Sequence, residues 1–177
     1  MIDPDDKLKT LPNLIDDFCS PISSNNVLRL DLSEVPFEAN SREILVNAIG
    51  RKLLSVARQG AINHGAPLLV FIDEAHQFLN KRIGEETNRF ELDAFGNIAK
   101  EGRKYGLNTI IATQRPRDIP EDVLSQIGTL IVHRLTNQLD QEIVKKAVGA
   151  IDQRSASFLP VLGQGEALLL GVDFPFP

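Results

Sequence analysis

Two unbroken apolar runs, each ending abruptly in polar groups, constrain this chain more than any other feature. Leu68-Leu69-Val70-Phe71-Ile72 leads into Asp73-Glu74-Ala75-His76, and Thr109-Ile110-Ile111-Ala112-Thr113 leads into Gln114-Arg115-Pro116. Strands covered by helices on both faces read as continuous hydrophobic runs, as in parallel sheets. In such sheets ligands bind outside the carboxyl ends of the strands. Acids at one strand end, and an amide with a guanidinium at another, are therefore expected to face a common crevice.

The rest of the chain alternates in the same way. Residues 1–26 hold Pro4, Pro12, Pro21 and Ser23-Ser24-Asn25-Asn26, and read as a loosely structured lead-in with one short helix near 11–18. Residues 27–32 alternate and stop at Ser33, which predicts a strand. Ile44, Leu45, Ala48, Ile49, Leu53 and Leu54 recur at helical spacing behind Asn40 or Ser41, either of which can cap. A polar loop over 80–88 precedes a helix predicted over about 89–105, with Phe90, Ala94, Phe95, Ile98 and Gly102 on its packing side. Gly106 is placed to terminate it as a left-handed C′ residue. A strand at 109–113, a short helix at 118–127, a strand at 129–133, helices at 140–148 and 152–158, a turn at 163–165 and a last strand at 166–171 complete the pattern. Alternation at this spacing means βαβ units with right-handed crossovers.

At 177 residues the chain is long enough for one domain with a sizeable core, and 42% hydrophobic with 24% charged residues is ordinary for a globular protein. No apolar stretch approaches the roughly 18 residues of a membrane helix. The start lacks the basic and apolar regions of a signal peptide. A lone Cys19 excludes an internal disulfide and, with three His, a Cys/His zinc site. A cytoplasmic protein with no membrane partner is expected. The net charge of −5 argues against a generally basic nucleic-acid binder. Eight bases nonetheless gather at Lys81, Arg82, Arg89, Lys100, Arg103, Lys104, Arg115 and Arg117. They form either a solvated helix face or a local positive surface for phosphate.

Five motifs carry a resemblance: Phe71-Ile72-Asp73-Glu74-Ala75-His76, Glu101-Gly102-Arg103-Lys104-Tyr105-Gly106, Ala112-Thr113-Gln114-Arg115-Pro116, Leu124-Ser125-Gln126 and Arg134-Leu135-Thr136-Asn137. In this order and spacing they resemble the second half of the HerA/FtsK-type hexameric ATPases, closest to the HerA branch. The resemblance covers about 27–171, leaving 1–26 as lead-in and 172–177 as tail. It implies a three-layer RecA-like α/β core with a mainly parallel sheet. That core is incomplete, because no Gly-Lys dipeptide occurs and the phosphate-cradling G-x-x-x-x-G-K-[ST] loop is absent. The missing strand belongs between 109–113 and 129–133, and its absence predicts two open inner edges.

The resemblance also implies residue roles and ligands, ATP and Mg²⁺. Asp73 would hold a water of the Mg²⁺ shell, and Glu74 would polarise the water that attacks the γ-phosphate. Gln114 would act as a sensor between that water and the phosphate. Arg115 would contact phosphate, with Arg117 beside it. Arg103 would be the finger reaching the nucleotide of a neighbouring subunit, with Arg134 as a weaker competitor. Each has a plainer alternative: Asp73 as a helix cap, Gln114 as a turn amide, Arg103 as a cation at a helix carboxyl end. His76 reads as a structural hydrogen-bonding residue, and His64 and His133 have no partner pattern.

The implied function is part of an ATP-driven motor that moves or unwinds double-stranded DNA as a homo-hexamer, with a nuclease or another effector as further partner. Asn80-Lys81-Arg82 is the one evident DNA-facing loop. A truncated or degenerate module serving oligomerisation remains open, as does a secretion or conjugation ATPase of the same superfamily.

Overall fold

The computed structural model describes residues 10–36, 38–62, 67–79, 82–83, 90–149 and 153–171. These divide into two compact units, Met1–Ile72 with Arg82–Ile110, and Asp73–Lys81 with Ile111–Pro177. The amino-terminal nonapeptide, most of the loop at 80–88 with Asn80, Lys81 and Arg89, His64, and the tail lie outside the described residues. Among the described residues no helix is long and apolar enough to cross a membrane.

In the first unit, α1 (Leu11–Cys19) and α3 (Ala94–Glu101) both pack on α2 (Ser41–Arg58). Ile15 is fully buried, and Leu53, Leu54, Val56 and Ala57 of α2 and Ala94, Phe95 and Ile98 of α3 are buried with it. The predicted stripe on α2 holds at Ile49, Leu53 and Leu54, but Ile44 is exposed. The stripe centres on Gly50 instead, because a Cβ there would sit 2.9 Å from Ala94 Cβ. Two helix backbones approach closely at that point, and only glycine permits it. Neither Asn40 nor Ser41 caps α2 through its side chain. Asn40 is left-handed, and Ser41 Oγ donates to the Glu38 carbonyl.

The helix predicted over 89–105 is shorter. Phe90–Glu91 forms β3, paired antiparallel with β2 (Arg82–Ile83). The start of α3 is fixed from outside itself, since Ala94 N–H donates to Asn47 Oδ1 of α2 at 3.0 Å. Its last turn tightens into a 3₁₀ segment, Gly102–Tyr105, ended by Gly106 at φ 73°. Left-handed geometry is why glycine stands there.

Then β4 (Leu107–Ile111), two residues earlier than predicted, pairs with β1 (Leu68–Ile72) in a small parallel sheet. The expectation that such strands are buried on both faces is not met. Leu69 is 57% exposed, Phe71 65% and Ile110 45%. The described residues cover one side of β1, and the other stays open. Residues 27–32 form no strand, and Val27 is exposed. An alternating pattern needs a ladder partner, and this segment instead runs into a turn. There Asp31 Oδ1 accepts from Ser33 N–H, and the Arg42 guanidinium donates to the Ser33 and Val35 carbonyls.

The second unit is built on β5 (Thr129–Val132) and β6 (Leu168–Gly171), paired antiparallel with Ile131 opposite Leu169 and Val132 opposite Leu168. The mainly parallel sheet is thereby corrected: two of the three described sheets are antiparallel. Strand-helix alternation does not fix the direction of a final strand that returns through a turn. Val132 and Leu170 bury against Val144 of α5 (Gln138–Val148) and against Leu159, which follows α6 (Gln153–Phe158). Asn137 caps α5, its Oδ1 accepting from Leu139 N–H at 2.9 Å, and Gly149 ends it at φ 69°. The short α4 (Glu121–Leu124) follows a 3₁₀ turn, Pro116–Asp118, where one helix over 118–127 was expected.

Candidate functional site

The polar groups that follow β1 and β4 meet in the second unit. Ala75 N–H donates to the Ala112 carbonyl at 3.0 Å, which carries the pairing of the two segments beyond the strands themselves. Between them stands Glu74 with φ 49° and ψ 44°, a left-handed conformation that costs a non-glycine residue on the order of 1–2 kcal/mol. Three hydrogen bonds hold it there. Glu74 N–H donates to Asp73 Oδ1 at 3.0 Å, Gln77 N–H donates to the Glu74 carbonyl at 2.9 Å, and Gln114 Nε2 donates to Glu74 Oε1 at 2.5 Å. Non-glycine backbone strain of this kind clusters at functional sites, where surrounding contacts over-determine it.

The Glu74 side chain is one-third exposed. Its two oxygens have different surroundings. Oε1 takes the Gln114 amide and keeps a second lone pair. Oε2 is buried without a hydrogen bond, although His76 Nδ1 lies 3.3 Å away. That approach is within ion-pair reach yet too oblique for a hydrogen bond. His76 Nδ1 also lies 3.1 Å from Thr113 Oγ1, which accepts Arg115 N–H at 3.1 Å. Neither contact was legible in the sequence, where His76 read as structural and the Thr113 hydroxyl carried no role. The signal available was a threonine two residues before Arg115, the spacing of a hydroxyl-backed turn.

Asp73 is exposed, with one carboxylate oxygen engaged by a backbone N–H. Among the described residues no group of three or more His, Cys, Asp or Glu can hold a metal ion. A divalent cation here would rely on one carboxylate, waters and phosphate oxygens, which is the donor set Mg²⁺ takes in nucleotide sites. The residues fit that group.

The two arginines after β4 differ. Arg117 is tied to α5, its N–H donating to Asp140 Oδ1 at 3.3 Å and its guanidinium 3.6 Å from Asp140 Oδ2. Arg115 is more exposed and lies 3.4 Å from Asp118 Oδ2. Arg103 belongs to the other unit. It is exposed on the 3₁₀ segment after α3, and its guanidinium has no hydrogen-bond or ion-pair partner among the described residues. The adjacent Gly102 is required by packing, since a Cβ would stand 2.5 Å from the Leu107 carbonyl oxygen. Arg134 is exposed, and His133 Nδ1 is 2.9 Å from the Glu166 carbonyl.

The chain is similar to several known proteins. The chain is 38% identical over 111 residues to the DNA double-strand break repair helicase HerA of Pyrococcus furiosus, covering 63% of this chain and 19% of that protein. It is 29% identical over 159 residues to the HerA of Sulfurisphaera tokodaii, covering 88% of this chain and 31% of that protein. The chain thus spans about a fifth to a third of these curated relatives. Among solved structures, the genome packaging NTPase B204 of Sulfolobus turreted icosahedral virus 2, in complex with AMP, superposes with a TM-score of 0.53 at 20% identity, over 71% of this chain and 58% of that one. That likeness speaks for the α/β fold alone. Residues 63–173 match the family described as Helicase HerA-like C-terminal, and the chain belongs to that family.

Proposed function

We propose that this chain is the carboxyl portion of an ATP-hydrolysing motor domain that translocates or unwinds double-stranded DNA as a hexameric ring. The phosphate loop would be supplied by sequence outside these 177 residues. One observation carries the reading. Glu74 is held in a left-handed conformation that brings its carboxylate to the amide of Gln114, a residue 40 positions away. A carboxylate that served only to cap or solvate would need no strained backbone.

In this reading Glu74 is the general base, its carboxylate taking the proton of the attacking water. Such a base contributes typically 10²–10⁴-fold. Gln114 fixes the carboxylate with one N–H and retains its other N–H and its carbonyl for the water and the γ-phosphate. Asp73 would hold a water of the Mg²⁺ shell, placing positive charge beside the phosphate oxygens when the cation is bound. Arg115 contributes positive charge beside them. Arg103, exposed and unpaired, acts across a subunit boundary, where such an arginine is worth on the order of 10³–10⁵ in kcat. Double-stranded DNA is the substrate of translocation, Asn80-Lys81-Arg82 contacts its backbone, and a nuclease or other effector acts beside the ring.

The test uses the complete polypeptide with its phosphate loop. Mg²⁺-dependent ATP hydrolysis is expected, stimulated by duplex DNA and abolished by Glu74→Gln and by Arg103→Ala with nucleotide binding retained. Mixing the two inactive variants should restore part of the turnover, because some interfaces then pair an intact glutamate with an intact arginine. Absence of hydrolysis in the parent sinks the motor. Absence of rescue removes the finger and leaves Arg134 as next candidate. The 177-residue chain alone should not turn over ATP, since its sequence holds no G-x-x-x-x-G-K-[ST] loop to cradle the β- and γ-phosphates.

A further inference from the structure

His76 lies close to Glu74 without being one of the groups assigned to chemistry. Its side chain is 13% exposed, and its Nδ1 stands 3.3 Å from Glu74 Oε2 and 3.1 Å from Thr113 Oγ1. A buried carboxylate oxygen left without a hydrogen bond is destabilising, because it has lost its water. Oε2 is in that position. Which proton His76 carries decides whether the cost is met. With the proton on Nε2, the Nδ1 lone pair faces a carboxylate oxygen, and the contact is repulsive. With the proton on Nδ1, a small rotation of the ring satisfies Oε2, while Thr113 Oγ1 accepts in the same direction. Thr113 has the capacity, since a hydroxyl oxygen offers two lone pairs and Arg115 N–H uses one.

We propose that His76 is a positioning residue for Glu74: it carries its proton on Nδ1 and shares it between Glu74 Oε2 and Thr113 Oγ1. The carboxylate is thereby clamped from both sides, by Gln114 at Oε1 and by His76 at Oε2. One rotamer is left, with the free lone pair of Oε1 as its outlet. The imidazole also bridges Glu74 to the segment that carries Gln114, so the base and the amide keep their relative position. The proposal rests on the reading of Glu74 as the base, but its first test does not.

That test is spectroscopic and uses the 177-residue chain without nucleotide. Imidazole nitrogen resonances of the three histidines, assigned with His64→Gln and His133→Gln, should identify Nδ1 of His76 as the protonated nitrogen at a pH where the ring is neutral. In Glu74→Gln the carbonyl oxygen should stay toward the Gln114 amide, turning the new NH₂ toward His76. The His76 tautomer should then switch to Nε2–H. A proton on Nε2 in the parent, or a tautomer indifferent to Glu74→Gln, overturns the proposal. The second test is kinetic, in the complete polypeptide. His76→Ala should lower kcat for ATP hydrolysis about 10- to 100-fold, the range known for removing the hydrogen-bond partners behind metal ligands, with KM for ATP within about twofold. His76→Asn, whose amide N–H can replace Nδ1–H, should recover to within roughly threefold of the parent, again on the mutant-kinetics reading. Equal losses in both variants, or losses tracking a fall in Tm, would mean that His76 only packs. A parent without hydrolysis refutes the motor and leaves the tautomer result standing.

Discussion

The left-handed backbone of Glu74 makes an inverted substitution pattern the sharpest expectation. At an ordinary helical or strand position, glycine is less stable than alanine by roughly 0.5–1 kcal/mol, because glycine loses more backbone freedom on folding. At φ 49° and ψ 44° the order should reverse. Alanine keeps the left-handed penalty of about 1–2 kcal/mol. Glycine escapes it but gives back about 0.4–1 kcal/mol through its looser unfolded chain. Both variants lose the Gln114 hydrogen bond and the His76 contact, so those terms cancel in the comparison. Glu74→Gly should therefore be more stable than Glu74→Ala by about 0.5–1 kcal/mol, or roughly 1–4 °C in Tm for a domain of this size. Urea denaturation of the 177-residue chain measures the difference, with the shift in midpoint at unchanged slope as the readout. Alanine equal to or better than glycine would refute the strained conformation, and with it the observation on which the functional reading rests.

Two further expectations concern the first unit. Gly102→Ala places a methyl 2.5 Å from the Leu107 carbonyl oxygen and 3.0 Å from Ile98 Cγ2. Overpacking of about 1–3 kcal/mol should outweigh the better helix propensity of alanine, so Tm falls by several degrees. A raised Tm would show that β4 can give way. Asp93 is desolvated, which raises its pKa. The Arg51 hydrogen bond and charge, with a backbone N–H and Asn97, outweigh this and hold the carboxyl below the usual carboxylate range. A depressed folded pKa stabilises above the unfolded value of about 3.9, and this contribution is lost as pH falls through the folded value. The gap in stability between parent and Asp93→Asn should be on the order of 0.5 kcal/mol at neutral pH, small because both side chains of the pair are largely exposed. It should close on acidification below about pH 4. A gap that persists in strong acid would assign the effect to packing instead.

What the sequence determined by itself is local. The apolar runs of β1 and β4 and their polar ends are written in consecutive residues, and each strand forms within two positions of its pattern. Gly106 and Gly149 end their helices because only a residue without a Cβ takes left-handed geometry freely. Ala94, Phe95 and Ile98 bury one helix face because their spacing matches the helical period. Residues 27–32 mark the limit of such reasoning, since alternation describes a face without supplying the neighbour that makes it a strand. Tertiary structure alone decided the rest. The direction of β6 against β5, the start of α3 at a side chain from α2, and the strained Glu74 with its Gln114 hydrogen bond all depend on partners distant along the chain. Gln114 lies 40 residues from Glu74, and Thr113 lies 37 from His76. A left-handed glutamate has no sequence signature, because its cost is set by its own backbone and met by contacts that exist only once the chain has folded.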